Sequence, residues 1–332
     1  MTAVTNRWTG RRRLGDVEVS ALGFGCWAIG GPFADDRGRP LGWGEVDDEE
    51  SIRAVRRAVD LGVTFFDTAD VYGAGHSEEV LGRALAGRRD RVVLASKWGN
   101  LFDPATRVHA GSDGSPEYLR QALLATLRRL GTDHLDLYQL HTGQSIEDAR
   151  PLAEACEELV AEGLIRGYGW STDDPERAAA WAAGPHCVAV QHELSVLHDA
   201  PEILAMCERY DLASVNRTPL AMGLLGRRTT DRPASQADIR SAAPDWLRFF
   251  RDGVPTAEWS ARVAAVREIL TSDGRTLAQG ALGWLWARSE RTVPIPGFRT
   301  VAQAEENANA LELGPLRPAQ LAELEDVLTA TG

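Results

Sequence analysis

The sequence predicts a (β/α)8 barrel, and three observations carry that expectation. Short apolar, β-branched runs alternate with longer amphipathic ones through nearly the whole chain of 332 residues. The short runs are apolar throughout rather than alternating, as parallel strands covered on both faces are. Eight such strand–helix pairs follow one another, the number that closes a barrel of this kind. A doubly wound sheet is the runner-up.

The elements follow in order. SALGFG, residues 20–25, is the first strand, and a Gly-rich loop separates it from the helix DDEESIRAVRRAVDLG. VTFFDT and HSEEVLGRALAG make the second unit, and RVVLASK with SPEYLRQALLATLRRLG the third. HLDLYQLH precedes SIEDARPLAEACEELVAEG, LIRGYGWS precedes DPERAAAWAA, and CVAVQHEL precedes DAPEILAMCERY. LASVNRTPL is the seventh strand, followed after a long irregular stretch by the helix RTLAQGALGWLWARS; RTVPIP with TVAQAEENANAL completes the set. Ser115–Pro116 and Asp174–Pro175 each place an N-cap before a proline at the first helical position. Gly62, Gly87, Gly131 and Gly163 stand just past helix ends, where a left-handed residue closes the last turn. Residues 31–47 and 226–257 show no period and read as long loops; 258–271 reads as an extra helix and 317–330 as a closing one. No linker is visible, so residues 1–332 are expected to form one domain, with 1–19 capping the barrel.

Composition narrows the function classes. Lys+Arg number 36 against 48 Asp+Glu, a net charge of −12, which argues against nucleic acid as the main partner. No apolar run approaches roughly 18 residues, so no membrane span is expected. MTAVTNRWTGRRR lacks the apolar stretch of a signal peptide. Cys26, Cys156, Cys187 and Cys207 form no CxxC pair, and a reduced cytoplasmic protein is the default. One of the 36 basic residues is a lysine, Lys97, and the rest are arginines. A coding bias accounts for the skew but not for the survivor.

In such barrels chemistry sits where strands end and loops begin. The second strand ends in Asp67-Thr68-Ala69-Asp70-Val71-Tyr72, the third in Ser96-Lys97, and the fourth in Gln139-Leu140-His141. Ser171-Thr172 closes the fifth and Gln191 the sixth. Alone each is weak, since a carboxylate closing a strand is often a helix cap. Together they make a proton-donating site. An ammonium beside a tyrosine stabilises the phenolate and lowers the phenol pKa. Asp67 can keep Lys97 ionised when buried, and His141 can donate to the same substrate oxygen as Tyr72.

These residues resemble those of the aldo-keto reductase family. The resemblance rests on FDTADVYGAGHSEEVLGRAL, VVLASKWG, LDLYQLH, GYGWSTD, VAVQHELS, TPLAMGLL and IPGFRTVAQAEENANA, in family order through nearly the whole chain. It implies a (β/α)8 barrel that binds NADPH in extended form and reversibly reduces an aldehyde, ketone or keto-sugar. The catalytic tetrad carries over onto Asp67, Tyr72, Lys97 and His141, with Tyr72 as the proton donor. Ser171, Thr172 and Gln191 match the nicotinamide positions, Thr172 standing where asparagine is usual. Thr218, Pro219, Leu220 and Gly223 match the pyrophosphate loop. Gly297, Phe298, Arg299, Thr300, Gln303, Glu306 and Asn307 match the adenosine end, where backbone amides and an arginine can hold a 2′-phosphate. Gly25 and Trp27 border cofactor and substrate. Two departures stand out. Arg217 occupies the place of an aromatic residue beneath the nicotinamide, and a guanidinium can also stack. Gln303 occupies the place of a second arginine, so NADPH is the expected cofactor, with NADH left open. A nicotinamide-binding regulatory subunit, similar to potassium-channel β subunits, is the alternative that the complete tetrad disfavours.

Three features invite other readings. Gly23-Phe24-Gly25-Cys26-Trp27-Ala28 is a degenerate GxGxxG, but Gly30-Gly31-Pro32 follows where a helix should start. His192-Glu193 would need a histidine at Val196 for a zinc motif, so no metal is expected. Among the ten tryptophans, Trp181, Trp284 and Trp286 lie on helical patterns and read as core. Trp27, Trp43, Trp98 and Trp170 are at strand ends or in the first loop and are expected to wall a small-molecule carbonyl pocket. No readable motif names the substrate or sets an oligomeric state.

Overall fold

The computed structural model describes residues 8–226, 235–242, 244 and 246–330. An N-terminal hairpin, β1 (Arg11–Leu14) and β2 (Val17–Ser20), precedes the first barrel strand, β3 (Gly23–Gly25). The remaining barrel strands are β4 (Phe65–Asp67), β5 (Val93–Trp98), β8 (Leu137–Leu140), β9 (Tyr168–Ser171), β10 (Cys187–Glu193), β11 (Ala213–Arg217) and β14 (Thr292–Pro294). Two excursions from the barrel carry the remaining strands: the hairpin β6 (Asn100–Asp103) and β7 (Val108–Ser112), and the short pair β12 (Phe250–Arg251) and β13 (Val254–Pro255). The eight strands run parallel in chain order around the sheet. A bridge from Gly25 to Gly297 joins the first strand to the segment after the last, and the Gly25 amide donates to the Pro296 carbonyl at 3.1 Å. The barrel is therefore closed at the top by two glycines. A Cβ at Gly25 would lie 2.7 Å from the Ile295 carbonyl oxygen, so only glycine permits that approach.

Strand alternation divides the core in two. Phe65, Val93, Ala95, Leu137, Ala189, Ala213, Val215 and Val293 pack together inside the barrel. Leu14 and Val19 of the hairpin join this inner cluster; of the stretch 1–19 expected to cap the barrel, residues 1–7 lie outside the described residues. The intervening positions, among them Phe66, Leu94, Tyr138, Tyr168 and Val190, pack outward against helices. Register pairs Phe65 with Val93 and Ala95 with Leu137, so inward-facing side chains of adjacent strands lie side by side.

The expected helices are present. Each follows its strand: α1 (Asp48–Asp60), α2 (His76–Leu85), α3 (Pro116–Leu130), α4 (Ile146–Ala161), α5 (Pro175–Ala182) and α6 (Pro201–Tyr210). The Ser115 hydroxyl accepts from the Tyr118 amide and the Asp174 carboxylate from the Glu176 and Arg177 amides, so both caps work as read. Gly62, Gly87, Gly131 and Gly163 all have positive φ. A one-turn helix α7 (Ile239–Ala242) and the β12–β13 pair interrupt what read as an irregular stretch; residues 227–234, 243 and 245 of that stretch lie outside the described residues. The extra helix is α8 (Ala257–Leu270); α9 (Leu277–Arg288), α10 (Val301–Ala308), α11 (Ala310–Leu313) and the closing α12 (Pro318–Ala330) complete the chain. After β3 the chain makes only a short 3-10 turn, Trp27–Ile29, so the degenerate glycine pattern opens no nucleotide-binding helix. Trp181, Trp284 and Trp286 are buried.

Candidate active site

The turn after β4 sets the site. Asp67 ends the strand facing inward, and the next residues follow the edge of β5: the Thr68 amide donates to the Ala95 carbonyl at 2.9 Å. The chain then folds back on itself, with the Tyr72 amide donating to Ala69 and the Ser77 amide to the Tyr72 carbonyl. Gly73 lies in the left-handed region (φ +63), and a Cβ there would sit 1.8 Å from the Gly30 carbonyl oxygen. This backbone contact wedges Tyr72 against the loop after β3. A hydroxyl relay, Thr68 to Ser77 at 2.9 Å and Ser77 to the Cys26 carbonyl at 2.7 Å, ties the same two segments together.

Four inward-facing residues at the strand tops form a polar layer above the apolar interior. The Lys97 ammonium donates to Asp67 Oδ1 at 2.5 Å, to the Thr68 carbonyl at 2.7 Å and to Tyr72 Oη at 3.2 Å. Its three protons thus have three acceptors. The second carboxylate oxygen of Asp67 accepts from Gln139 Nε2 at 3.0 Å and Gln191 Nε2 at 2.9 Å. Asp67, Lys97, Gln139 and Gln191 are all buried, and each polar atom of the carboxylate is engaged, as burial requires. The His141 ring stands edge-on to Tyr72 with centroids 5.9 Å apart. Trp27 stacks on Tyr72 with ring centroids 5.9 Å apart.

The electrostatics define protonation. Burial works against the Lys97 ammonium, but Asp67 and Tyr72 outweigh it and hold its pKa above the ordinary lysine value. Burial pushes the Tyr72 phenol up, and Lys97 pulls it down without cancelling the shift. The expectation of a lowered phenol is therefore corrected: desolvation outweighs the ammonium, and Tyr72 rests protonated. Burial first, then the charges of Lys97 and Arg217, push His141 well below the usual histidine range. Its ring is neutral. Nδ1 is buried without a partner, and an unpartnered lone pair costs less than an unpartnered N–H, which assigns the single proton to Nε2.

A cavity of about 1170 Å³ opens above this layer. Tyr72, His141 and Asp67 reach it, while Lys97 stands behind them. Of the other residues expected at the cofactor, Gly25 and Trp27, Ser171, Thr172 and Gln191, Arg217 to Leu220 and Gly223, and Gly297 to Arg299, Gln303, Glu306 and Asn307 line the same cavity; Thr300 does not, its hydroxyl instead capping α10 by accepting from the Gln303 amide. Trp43 lines it too. Asn100, His109, Thr142, Asp173, Arg177 and Trp246 complete parts of the wall that the sequence did not single out.

A model of the aldo/keto reductase family matches residues 21–329. The chain belongs to the aldo/keto reductase family. It is 31% identical over 312 residues to the aldo-keto reductase yakc of Schizosaccharomyces pombe, named for NADP(+), covering 91% of this chain and 86% of the relative. The holo form of an aldo-keto reductase from Bacillus halodurans superposes with a TM-score of 0.75 at 30% identity, covering 96% of this chain and 95% of that one. An aldo-keto reductase of Klebsiella pneumoniae in complex with NADPH gives 0.69 at 28% identity, covering 96% and 94%.

In this aldo/keto reductase two of the four expected wall tryptophans are elsewhere. Trp98 and Trp170 are core residues, 0% and 1% exposed, packed on Trp181 of α5 with ring centroids at 6.1 and 5.3 Å. Alternation is the reason: Lys97 and Ser171 point inward, so their neighbours Trp98 and Trp170 must point outward. Gln139, given no role from sequence, shares the inward parity of Lys97 and braces Asp67. His192 is also structural, bonded to Ser214 Oγ at 2.7 Å. Arg217 lines the cavity, but its guanidinium is paired with Asp173, and Glu193 beside it accepts from Arg248 at 2.7 Å. It is thus a held cation in this wall.

The neutral His141 has a measurable consequence. Unfolded histidine titrates near about 6.5, whereas folded His141 stays neutral well below that. The unfolded chain then binds the extra proton, so His141 costs no stability above about pH 6.5 and destabilises the fold as pH drops below it. Imidazole ¹⁵N shifts should report an Nε2–H tautomer that persists as pH is lowered through that value. An imidazolium appearing near the ordinary pKa would contradict the assignment.

Proposed function

We propose that this enzyme is an NADPH-dependent reductase of a small aldehyde, ketone or keto-sugar, with Tyr72 as proton donor. The observation that carries the reading is the buried ammonium of Lys97 giving its protons to Asp67, Thr68 and Tyr72 at the floor of a large cleft.

The cleft fits an extended dinucleotide. Its volume lies above the roughly 300–1,000 Å³ of single-ligand pockets, leaving room for a second small molecule. In the turn after β11, Thr218, Ala221, Met222 and Gly223 all have left-handed φ. Such runs aim backbone N–H groups into one concavity, which suits a pyrophosphate. At Gly297 a Cβ would meet nothing closer than 3.9 Å, so the backbone there presents an open face to the cleft. Ser171, Thr172 and Gln191 would hold the nicotinamide end, and the N-terminus of α10 with Arg299, Gln303 and Asn307 the adenosine end. NADPH supplies a hydride when bound.

The protein's own groups handle the other half of the reaction. Tyr72 keeps its proton at neutral pH and passes it to the carbonyl oxygen as negative charge gathers there. Lys97 compensates the phenolate left behind, and Asp67, braced by Gln139 and Gln191, keeps Lys97 charged. His141 Nε2 donates to the same oxygen and orients it. Trp27 and Trp43 shield the site from water, which strengthens each of these interactions.

The test is NADPH oxidation against a panel of aldehydes, ketones and keto-sugars. Oxidation should depend on the carbonyl compound and be slower with NADH. NADPH binding with no carbonyl-dependent oxidation across the panel would favour a regulatory role instead.

A further inference from the structure

Arg299 has a place in the structure that its match to a phosphate-binding arginine does not explain. Its guanidinium donates through Nη1 to the Trp43 carbonyl at 3.2 Å and through Nη2 to the Glu45 carbonyl. Both carbonyls belong to the loop 31–47, which contains no helix or strand. On its other side the loop is tied to the segment after β11: the Ile239 amide donates to the Gly42 carbonyl at 2.8 Å, and Trp43 bridges Asp238. Arg240, held by Asp238 at 2.7 Å, covers the Trp43 ring at 5.0 Å.

Trp43 leads directly to the reacting group. Its ring stands edge-on to Trp27 with centroids 5.5 Å apart, and Trp27 stacks on Tyr72. The Trp27 indole N–H donates back to the Leu41 carbonyl at 3.2 Å, so the loop also fixes the tilt of that ring. A contiguous line of contacts therefore runs from Arg299 through Trp43 and Trp27 to Tyr72.

We propose that Arg299 is a positioning residue for the substrate wall: it holds Trp43–Glu45 over the cavity, so one guanidinium serves both the cofactor's phosphate end and the pocket beside Tyr72. The phosphate half rests on the function proposed above, whereas the strut is independent of it. A loop without regular structure takes its position from the few bonds that anchor it. Guanidinium-to-carbonyl bonds are charge-assisted and directional, and lysine reproduces them only in part.

Two measurements on Arg299→Ala separate the strut from a phosphate contact. Without any cofactor, amide hydrogen exchange across residues 41–46 should quicken by about tenfold while β4, β5 and β8 keep their protection. With saturating NADH, which lacks the 2′-phosphate, the KM for the carbonyl substrate should rise by about fivefold or more, with a smaller change in kcat. A residue that acts only on the phosphate leaves both unchanged and weakens NADPH alone; that result overturns the proposal. If Arg299→Ala loosens the barrel strands as well, Arg299→Lys decides. It must quicken exchange at 41–46 beyond that of the strands, and equal exchange in both overturns the strut. Should no carbonyl compound be reduced at all, the exchange measurement still stands and tests the strut alone.

Discussion

Tyr72→Phe is expected to lower kcat for carbonyl reduction by about 100- to 10,000-fold, the range that a positioned general acid contributes. The change removes one oxygen and nothing else from the packing between Trp27 and His141. Lys97 loses one of three acceptors but keeps Asp67 and the Thr68 carbonyl, so the polar layer stays intact. Cofactor affinity and thermal midpoint should therefore remain close to wild type, and the loss should fall on kcat and kcat/KM alike. Stopped-flow turnover together with fluorescence titration of NADPH measures both. Retention of more than about a tenth of wild-type kcat would place the proton donor elsewhere.

Lys97→Met should have the largest effect on stability. Lys97 and Asp67 are both fully within the barrel, and removing the cation leaves a buried carboxylate with only two amide donors. Breaking one side of a buried pair costs about 3–5 kcal/mol. The double variant Asp67→Asn with Lys97→Met should recover much of that, because no unpaired charge remains. Denaturant unfolding of wild type, both single variants and the double variant gives the coupling as a double-mutant cycle. Additive losses would mean that the pair is not the electrostatic unit described. Lys97→Arg keeps the charge but replaces a compact ammonium, whose protons meet three acceptors, by a planar fork. Turnover close to wild type in that variant would leave the lone lysine of the chain as an accident of composition.

The eight strands, their order and most helix boundaries were legible because they rest on local signals. Period, caps and left-handed glycines act over a few residues, and Ser115, Asp174, Gly62 and Gly131 do what their positions imply. The meeting of Asp67, Lys97 and His141 at the barrel top was legible for the same reason, since each stands at or just past a strand end, whereas Tyr72 reaches them from the turn after β4. Trp98 and Trp170 were misplaced although the information was present. Once Lys97 and Ser171 face inward, period two sends their neighbours to the helix side. The hairpin β6–β7 and helix α7 were missed because elements of four or five residues are too short to show a period.

Read by itself, the sequence determined a parallel barrel, the residues that meet at its top, and a single lysine among them. The tertiary structure alone decided how those residues are spent. Gln191 turns its amide to Asp67, 124 positions away, and Arg299 reaches the carbonyl of Glu45 across 254. Burial, which raises Tyr72 and keeps His141 neutral, is likewise a property of the closed barrel. Local propensities act along the chain over a turn or a strand. Desolvation and the pairing of donors with acceptors depend on which distant segments become neighbours, and only the closed barrel brings those segments together.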